Sequence, residues 1–130
     1  MLNIILISLG GVLGTLSRYF LSYYLGTSFS FNILFINYLG SFLAGGFFEF
    51  FNIMKFGTNI FGIDIQKLIF IGFLGAFTTF STYSLEAVKL FLVSNYKAGI
   101  WYIIVGNIGA IIATLVGIFL VKHLLFFIKS

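Results

Sequence analysis

Within Gly72-Phe73-Leu74-Gly75-Ala76-Phe77-Thr78-Thr79-Phe80-Ser81-Thr82-Tyr83, glycines and the hydroxyls Thr78, Thr79, Ser81 and Thr82 interrupt a segment otherwise apolar enough to span a bilayer. In hydrocarbon every backbone polar group needs a partner, so a break in a helix is tolerated only where protein or a wet cavity surrounds it. A break at mid-membrane therefore marks a site. Broken spans of transporters and channels hold ions on freed carbonyls and half-helix ends, and hydroxyls at the same depth add side-chain ligands. The plainer reading is that Thr and Ser bond back to the preceding turn and only bend a packed helix. Glu86 lies one turn beyond Thr82 on the same face, placing a carboxylate at a vestibule or on a polar track.

The elements that position this stretch follow from composition. The 130 residues are 61% hydrophobic and 8% charged, with a mean hydropathy of +1.17, whereas soluble domains carry about 25% charged residues. The chain is an integral membrane protein. At about 20 residues per crossing, four spans with short loops use nearly the whole length, so the reading is one four-span, all-α membrane domain over residues 1–130, with the third span broken. The first apolar stretch lacks a basic leader region and a small-residue cleavage site, and reads as a retained span. The absence of cysteine excludes disulfides, thiolate metal sites and cysteine nucleophiles. The net charge of +4 comes from lysines near span ends, where they anchor to the lipid bilayer and its anionic headgroups; no nucleic-acid partner is implied.

Span one is expected over residues 3–24, and Gly10, Gly11, Gly14 and Ser17 give it the small-residue spacing that allows close helix approach. Arg18 lies inside it, about two turns before Gly26-Thr27-Ser28, either snorkelling to the interface or standing as a fixed positive charge at the mouth of an anion path. Span two is expected over 32–54. Its Asn37 and Ser41 share a face, Gly40 and Ala44 repeat that spacing, and phenylalanines fill the other side, so the small polar side faces protein or water. For Asn37, interhelical packing and pore lining are both open. Glu49 and Lys55 read as interfacial. A loop over 55–66 with Gly57, Asn59, Gly62 and Asp64 leads to span three over 67–94, and a turn over 95–99 leads to span four over 100–121. Trp101 and Tyr102 fit an aromatic belt, Lys122 and His123 mark the far end, and Gly106, Ala110, Ala113 and Gly117 form a small stripe carrying Asn107 and Thr114. His123 has no companion ligands in sequence and reads as interfacial.

An even number of spans puts both termini on one side. That side collects Lys55, Lys67, Lys122 and Lys129 against Lys97 and Lys89 on the other, a weak bias that allows insertion in both orientations. Two oppositely inserted copies would set two broken third spans against each other, an inverted repeat made of separate chains.

The motifs Gly10-Gly11-Val12-Leu13-Gly14 with Arg18-Tyr19, Asn37-Tyr38-Leu39-Gly40-Ser41-Phe42 and Gly72 to Tyr83, in order on three successive spans, make the sequence resemble the small bacterial fluoride channels known as Fluc or CrcB proteins. The resemblance covers essentially the whole chain. It implies a multi-pass protein of the bacterial inner membrane, an antiparallel dual-topology dimer with two fluoride pores, and passive fluoride export. It also implies a structural sodium ion held at the dimer interface by the backbone carbonyls of Gly75 and Thr78. Phe80 and Tyr83 match the pair of pore aromatics, Asn37 the pore asparagine, Ser81, Thr82 and Glu86 the polar track, and Arg18 the span-one arginine.

The sequence departs from that pattern at Tyr83, where a phenylalanine is usual, and at Ile33, where a threonine is usual. It departs again at Gly106 and Ala110, where serines are common, leaving Asn107 as the residue available to replace them. Some members of the family work only as heterodimers, so the implied partner is a second copy or a diverged homologue in the opposite orientation. No nucleophile, metal cluster or general-base pair is visible, which argues against an enzyme. The alternatives are a small dual-topology multidrug exporter, which needs an acid in the first span where this chain has Arg18, and a non-conducting membrane assembly subunit, which needs no hydroxyl-rich break.

Overall fold

The computed structural model describes residues 1–26, 28–54, 59–60 and 63–129; Thr27, Lys55, Gly57 and Gly62 of the expected loops lie outside the described residues. Four helical segments are long and apolar enough to cross a membrane: Leu2–Leu25, Phe29–Met54, Ile65–Leu92 and Tyr96–Ile128. Large apolar side chains such as Leu13, Tyr23, Ile111 and Phe119 stand exposed along the outer helices, as a lipid-facing surface requires.

Helix α1 (Leu2–Leu25) ends at Gly26, whose φ of 57° places it in the left-handed cap conformation that glycine adopts without cost. Helix α2 (Phe29–Met54) returns across the membrane. A two-residue antiparallel pair, β1 (Asn59–Ile60) with β2 (Ile63–Asp64), closes the loop that follows. The third span is a composite: α3 (Ile65–Lys67), a π-helix over Leu68–Leu74, α4 (Gly75–Phe77), and, after two extended residues, α5 (Phe80–Leu92). The π segment packs on α1 with almost no side chain between the backbones. A Cβ at Gly10 would lie 2.8 Å from the Leu68 carbonyl oxygen, and one at Gly72 would lie 2.8 Å from that of Ile7. Small residues provide that approach.

Helix α5 ends in a Schellman turn. Ser94 takes φ 58°, its N–H donates to the Phe91 carbonyl at 2.9 Å, and the Asn95 N–H donates to that of Leu90 at 2.9 Å. Asn95 Oδ1 then accepts from the Ala98 N–H at 3.3 Å, starting α6 (Tyr96–Lys129). Helices α2 and α6 run parallel and interlock by glycine. Gly45 lies against the Thr114 carbonyl, Gly117 against that of Phe42, and Gly109 beneath the Tyr38 ring, whose hydroxyl donates to the Val105 carbonyl at 2.8 Å.

Three expectations about span ends are corrected. Helix α6 does not stop near Val121 but continues through Lys122 and His123 to Lys129. Tyr102 is not a belt residue: it is buried with Ile33, Tyr83 and Ala87 in the apolar core between α2, α5 and α6, and its hydroxyl donates to the Ser30 carbonyl at 3.3 Å. Trp101 beside it is exposed. Glu49 is covered by protein and accepts from Asn52 Nδ2 at 3.3 Å, a local bond at spacing i, i+3 that a carboxylate near a helix end needs once neighbouring side chains cover it.

Candidate functional site

The third span breaks at Thr78 and Thr79. Thr78 has φ −81° and ψ 159°, Thr79 has φ −148° and ψ 99°, and both are extended. Asn37 of α2 holds the break open by taking both backbone groups of Thr79: the Thr79 N–H donates to Oδ1 at 2.9 Å and Nδ2 donates to the Thr79 carbonyl at 3.3 Å. The amide thus acts as a short piece of neighbouring strand. Thr79 Oγ1 caps α5 by accepting from the Thr82 N–H at 3.2 Å, and it lies 2.8 Å from Thr82 Oγ1 and 3.4 Å from Ser81 Oγ.

These bonds divert two donors. In an unbroken helix the Thr79 N–H would go to the Gly75 carbonyl and the Thr82 N–H to the Thr78 carbonyl. Here one goes to Asn37 and the other to Thr79 Oγ1. The carbonyls of Gly75 and Thr78 lose those partners, which is the condition a backbone-ligated monovalent cation needs. Gly75 itself is helical, with φ −62° and ψ −32°, and is exposed; a Cβ there would meet the Phe70 carbonyl oxygen at an ordinary 3.4 Å. The break therefore needs no positive φ at Gly75, because extended threonines make the turn. The hydroxyls also divide. Thr78 Oγ1 donates back to the Leu74 carbonyl at 2.9 Å, the local bond of the plainer reading, while Ser81 stands exposed.

Two cavities flank the break. One, of about 210 Å³, is lined by Asn37, Ser41, Thr78, Phe80, Tyr83 and Asn107 among others. The other, of about 340 Å³, is lined by Thr15, Arg18, Tyr19, Ser22, Thr79 and Thr82 among others. Asn37, Phe80, Tyr83 and Asn107 therefore meet in one place and Arg18 and Thr82 in another. Phe80 is 73% exposed and Tyr83 only 6%, although their ring centroids lie 5.7 Å apart. Tyr83 stacks on Tyr102 at 5.2 Å, donates its hydroxyl to the Ile103 carbonyl at 2.9 Å and accepts from Asn107 Nδ2 at 2.9 Å.

Glu86 lines neither cavity. It is buried, accepts from Ser30 Oγ at 2.6 Å and pairs with Lys89 Nζ at 2.6 Å. Ser30 and Tyr102 escaped the sequence reading. No periodicity ties a serine at the start of α2 to a carboxylate 56 residues later, and a tyrosine next to a tryptophan at a span end has the composition of a belt. Among the described residues, no group of three or more His, Asp or Glu side chains gathers to hold a metal.

Residues 5–118 match the family model described as CrcB-like protein, Camphor Resistance. The chain is 38% identical over 126 residues to a protein of Haemophilus ducreyi named fluoride-specific ion channel FluC, covering 94% of each chain. Proteins of the same name from Parabacteroides distasonis, 32% identical over 99% of this chain and 100% of that one, and from Thermosipho melanesiensis, 40% identical over 78% and 82%, are similar in the same way.

Proposed function

We propose, from the fact that this chain belongs to the CrcB-like family, that it is a passive fluoride-selective channel exporting fluoride across the membrane it spans. The observation that carries the reading is the helix break clamped open by Asn37 beside a cavity walled by Phe80, Tyr83 and amide side chains. A small anion leaving water must be met by donors and by positive electrostatic surface, and the edge of an aromatic ring is positive. Phe80, exposed beside that cavity, offers such an edge. Asn37 Nδ2 spends one N–H on Thr79 and keeps the other for the cavity it lines. Ser81 and Thr82 supply hydroxyls from the first turn of α5, Arg18 sets a positive charge in the second cavity, and Glu86, tied to Ser30 and Lys89, braces the end of that track.

The working unit is an antiparallel pair with two pores, formed with a second copy or a diverged homologue. The diverted donors at Thr79 and Thr82 support a sodium site on the Gly75 and Thr78 carbonyls, where the bound cation adds a fixed field favouring anions. A multidrug exporter lacks support because α1 carries Arg18 and no acid. Purified protein in proteoliposomes, loaded in turn with fluoride, chloride and a cationic dye, should release fluoride alone and without a proton gradient. Vesicles holding assembled dimer that keep a fluoride gradient as empty ones do would refute the proposal.

A further inference from the structure

The Tyr83 hydroxyl is enclosed on α6. It donates to the Ile103 carbonyl at 2.9 Å, and Asn107 Nδ2 donates both to that hydroxyl at 2.9 Å and to the same carbonyl at 2.8 Å. The amide orientation is fixed by this triangle, because the opposite one would set two acceptor oxygens face to face. Both N–H groups of Asn107 are thereby spent, and what remains on its amide is an acceptor, which does not attract an anion. Beneath the ring lies Gly106. A Cβ there would fall 2.7 Å from the Tyr83 hydroxyl oxygen and 2.8 Å from Cζ, inside van der Waals contact with a ring that also stacks on Tyr102. Tyr38 repeats the arrangement one turn further along α6, lying over Gly109 with its hydroxyl on the Val105 carbonyl, but it does not line the Tyr83 cavity.

We propose that Gly106 and Asn107 are positioning residues that seat the Tyr83 ring in the cavity wall and turn its hydroxyl away from the ion path. Span four then contributes an aromatic wall in this chain rather than a row of hydrogen-bond donors. The proposal rests on the fluoride-channel reading for its effect on flux and on the contacts alone for the seating.

The test is a double-mutant cycle on the intact protein. Gly106→Ser pushes the ring out of its hollow and strands the hydroxyl in the cavity, so fluoride flux from proteoliposomes should fall roughly tenfold, the rate equivalent of one unsatisfied polar group. In a Tyr83→Phe background nothing polar is stranded, and the same substitution should cost roughly threefold or less. Asn107→Ala should lower flux with Tyr83 present and add little once Tyr83→Phe has been made. Tyr38→Phe should lower the unfolding temperature while leaving flux and fluoride-over-chloride selectivity unchanged.

Equal losses from Gly106→Ser in both backgrounds would overturn the seating, and so would an undiminished loss from Asn107→Ala in the Tyr83→Phe background, which would show the amide serving the ion directly. If Gly106→Ser does not assemble, Gly106→Ala carries the same cycle. If the unsubstituted protein moves no fluoride, the channel reading fails on its own. The cycle read by unfolding temperature still decides the seating, with coupling supporting it and additivity refuting it.

Discussion

The cavities on either side of the Thr78–Thr79 break differ in whether their walls carry an uncommitted charge. In the one walled by Phe80 and Tyr83, nearly every polar group is already bonded within the protein: Asn37 to Thr79, Tyr83 to Ile103, Asn107 to both Tyr83 and Ile103, and Thr78 to Leu74. In the one lined by Arg18, the guanidinium has no hydrogen-bond or ion-pair partner among the described residues, and the Thr15 and Ser22 side chains stand near it. A rigid, preorganised, aromatic site strips water from an ion, whereas an uncommitted charge in a larger space gathers ions. On the proposed channel reading, the contrast separates selection from supply.

Replacing Phe80 should break the selective side hardest. Phe80→Ile keeps apolar bulk and removes the ring quadrupole, and with 73% of the residue exposed little of the protomer's own packing depends on it. Fluoride flux should fall by roughly a hundredfold or more against a small change in unfolding temperature. Equal losses in both measurements would assign Phe80 to packing.

Asn37→Asp tests whether the break is held or merely left open. Aspartate still accepts from the Thr79 N–H but cannot donate to the Thr79 carbonyl, and it places a negative charge in the proposed anion path. Flux should drop roughly tenfold or more, together with a lower unfolding temperature, because one side chain serves both purposes. A loss of flux with stability untouched would show that the clamp is dispensable.

How much of this was legible in the sequence follows from what kind of signal each feature leaves. Four spans and a break in the third could be read because apolar length and a hydroxyl cluster are local properties. The small faces of α1 and α2 were legible for the same reason: glycine at helical spacing means close approach, and Gly10 does meet the backbone of the third span while Gly40 meets the Thr78 and Phe77 side chains. The clamp was not legible, because Asn37 and Thr79 are 42 residues apart and an asparagine facing a neighbour looks the same whether it bonds a backbone or an ion. Tyr102 was misread because its place in the chain has belt composition while its place in space is the core. The two threonines that make the turn are β-branched residues that favour extended backbone, a preference present in the sequence but overshadowed by the glycines beside them.

Arg18 sharpens the supply side. A charge in a span costs about 3 kcal/mol by insertion measurements, so its retention in a hydroxyl-lined cavity calls for a use. Arg18→Gln should lower fluoride flux about threefold at low ionic strength and much less at high salt, because a supply effect is electrostatic and screened. A loss that ignores salt would place Arg18 in the selective step instead.

The smallest effect belongs to a residue far from both cavities, and it checks that the comparison concerns the break and not the fold at large. Asp64 starts α3: its carboxylate accepts from the Lys67 N–H at 3.2 Å and pairs with Lys67 Nζ at 3.2 Å. Burial acts to raise its carboxyl, but the hydrogen bonds and charge of Lys67 outweigh that and hold it below its ordinary value of 3.8. A carboxyl depressed on folding adds stability above its ordinary value and loses it as pH falls through the folded one. Asp64→Asn should therefore lower the unfolding temperature slightly at neutral pH, and the two proteins should converge as the medium is acidified below 3.8. Fluoride flux per assembled dimer should not change. A flux defect in Asp64→Asn would mean that the start of the third span is coupled to its break, and the division between selecting and supplying cavities would have to extend along the whole helix.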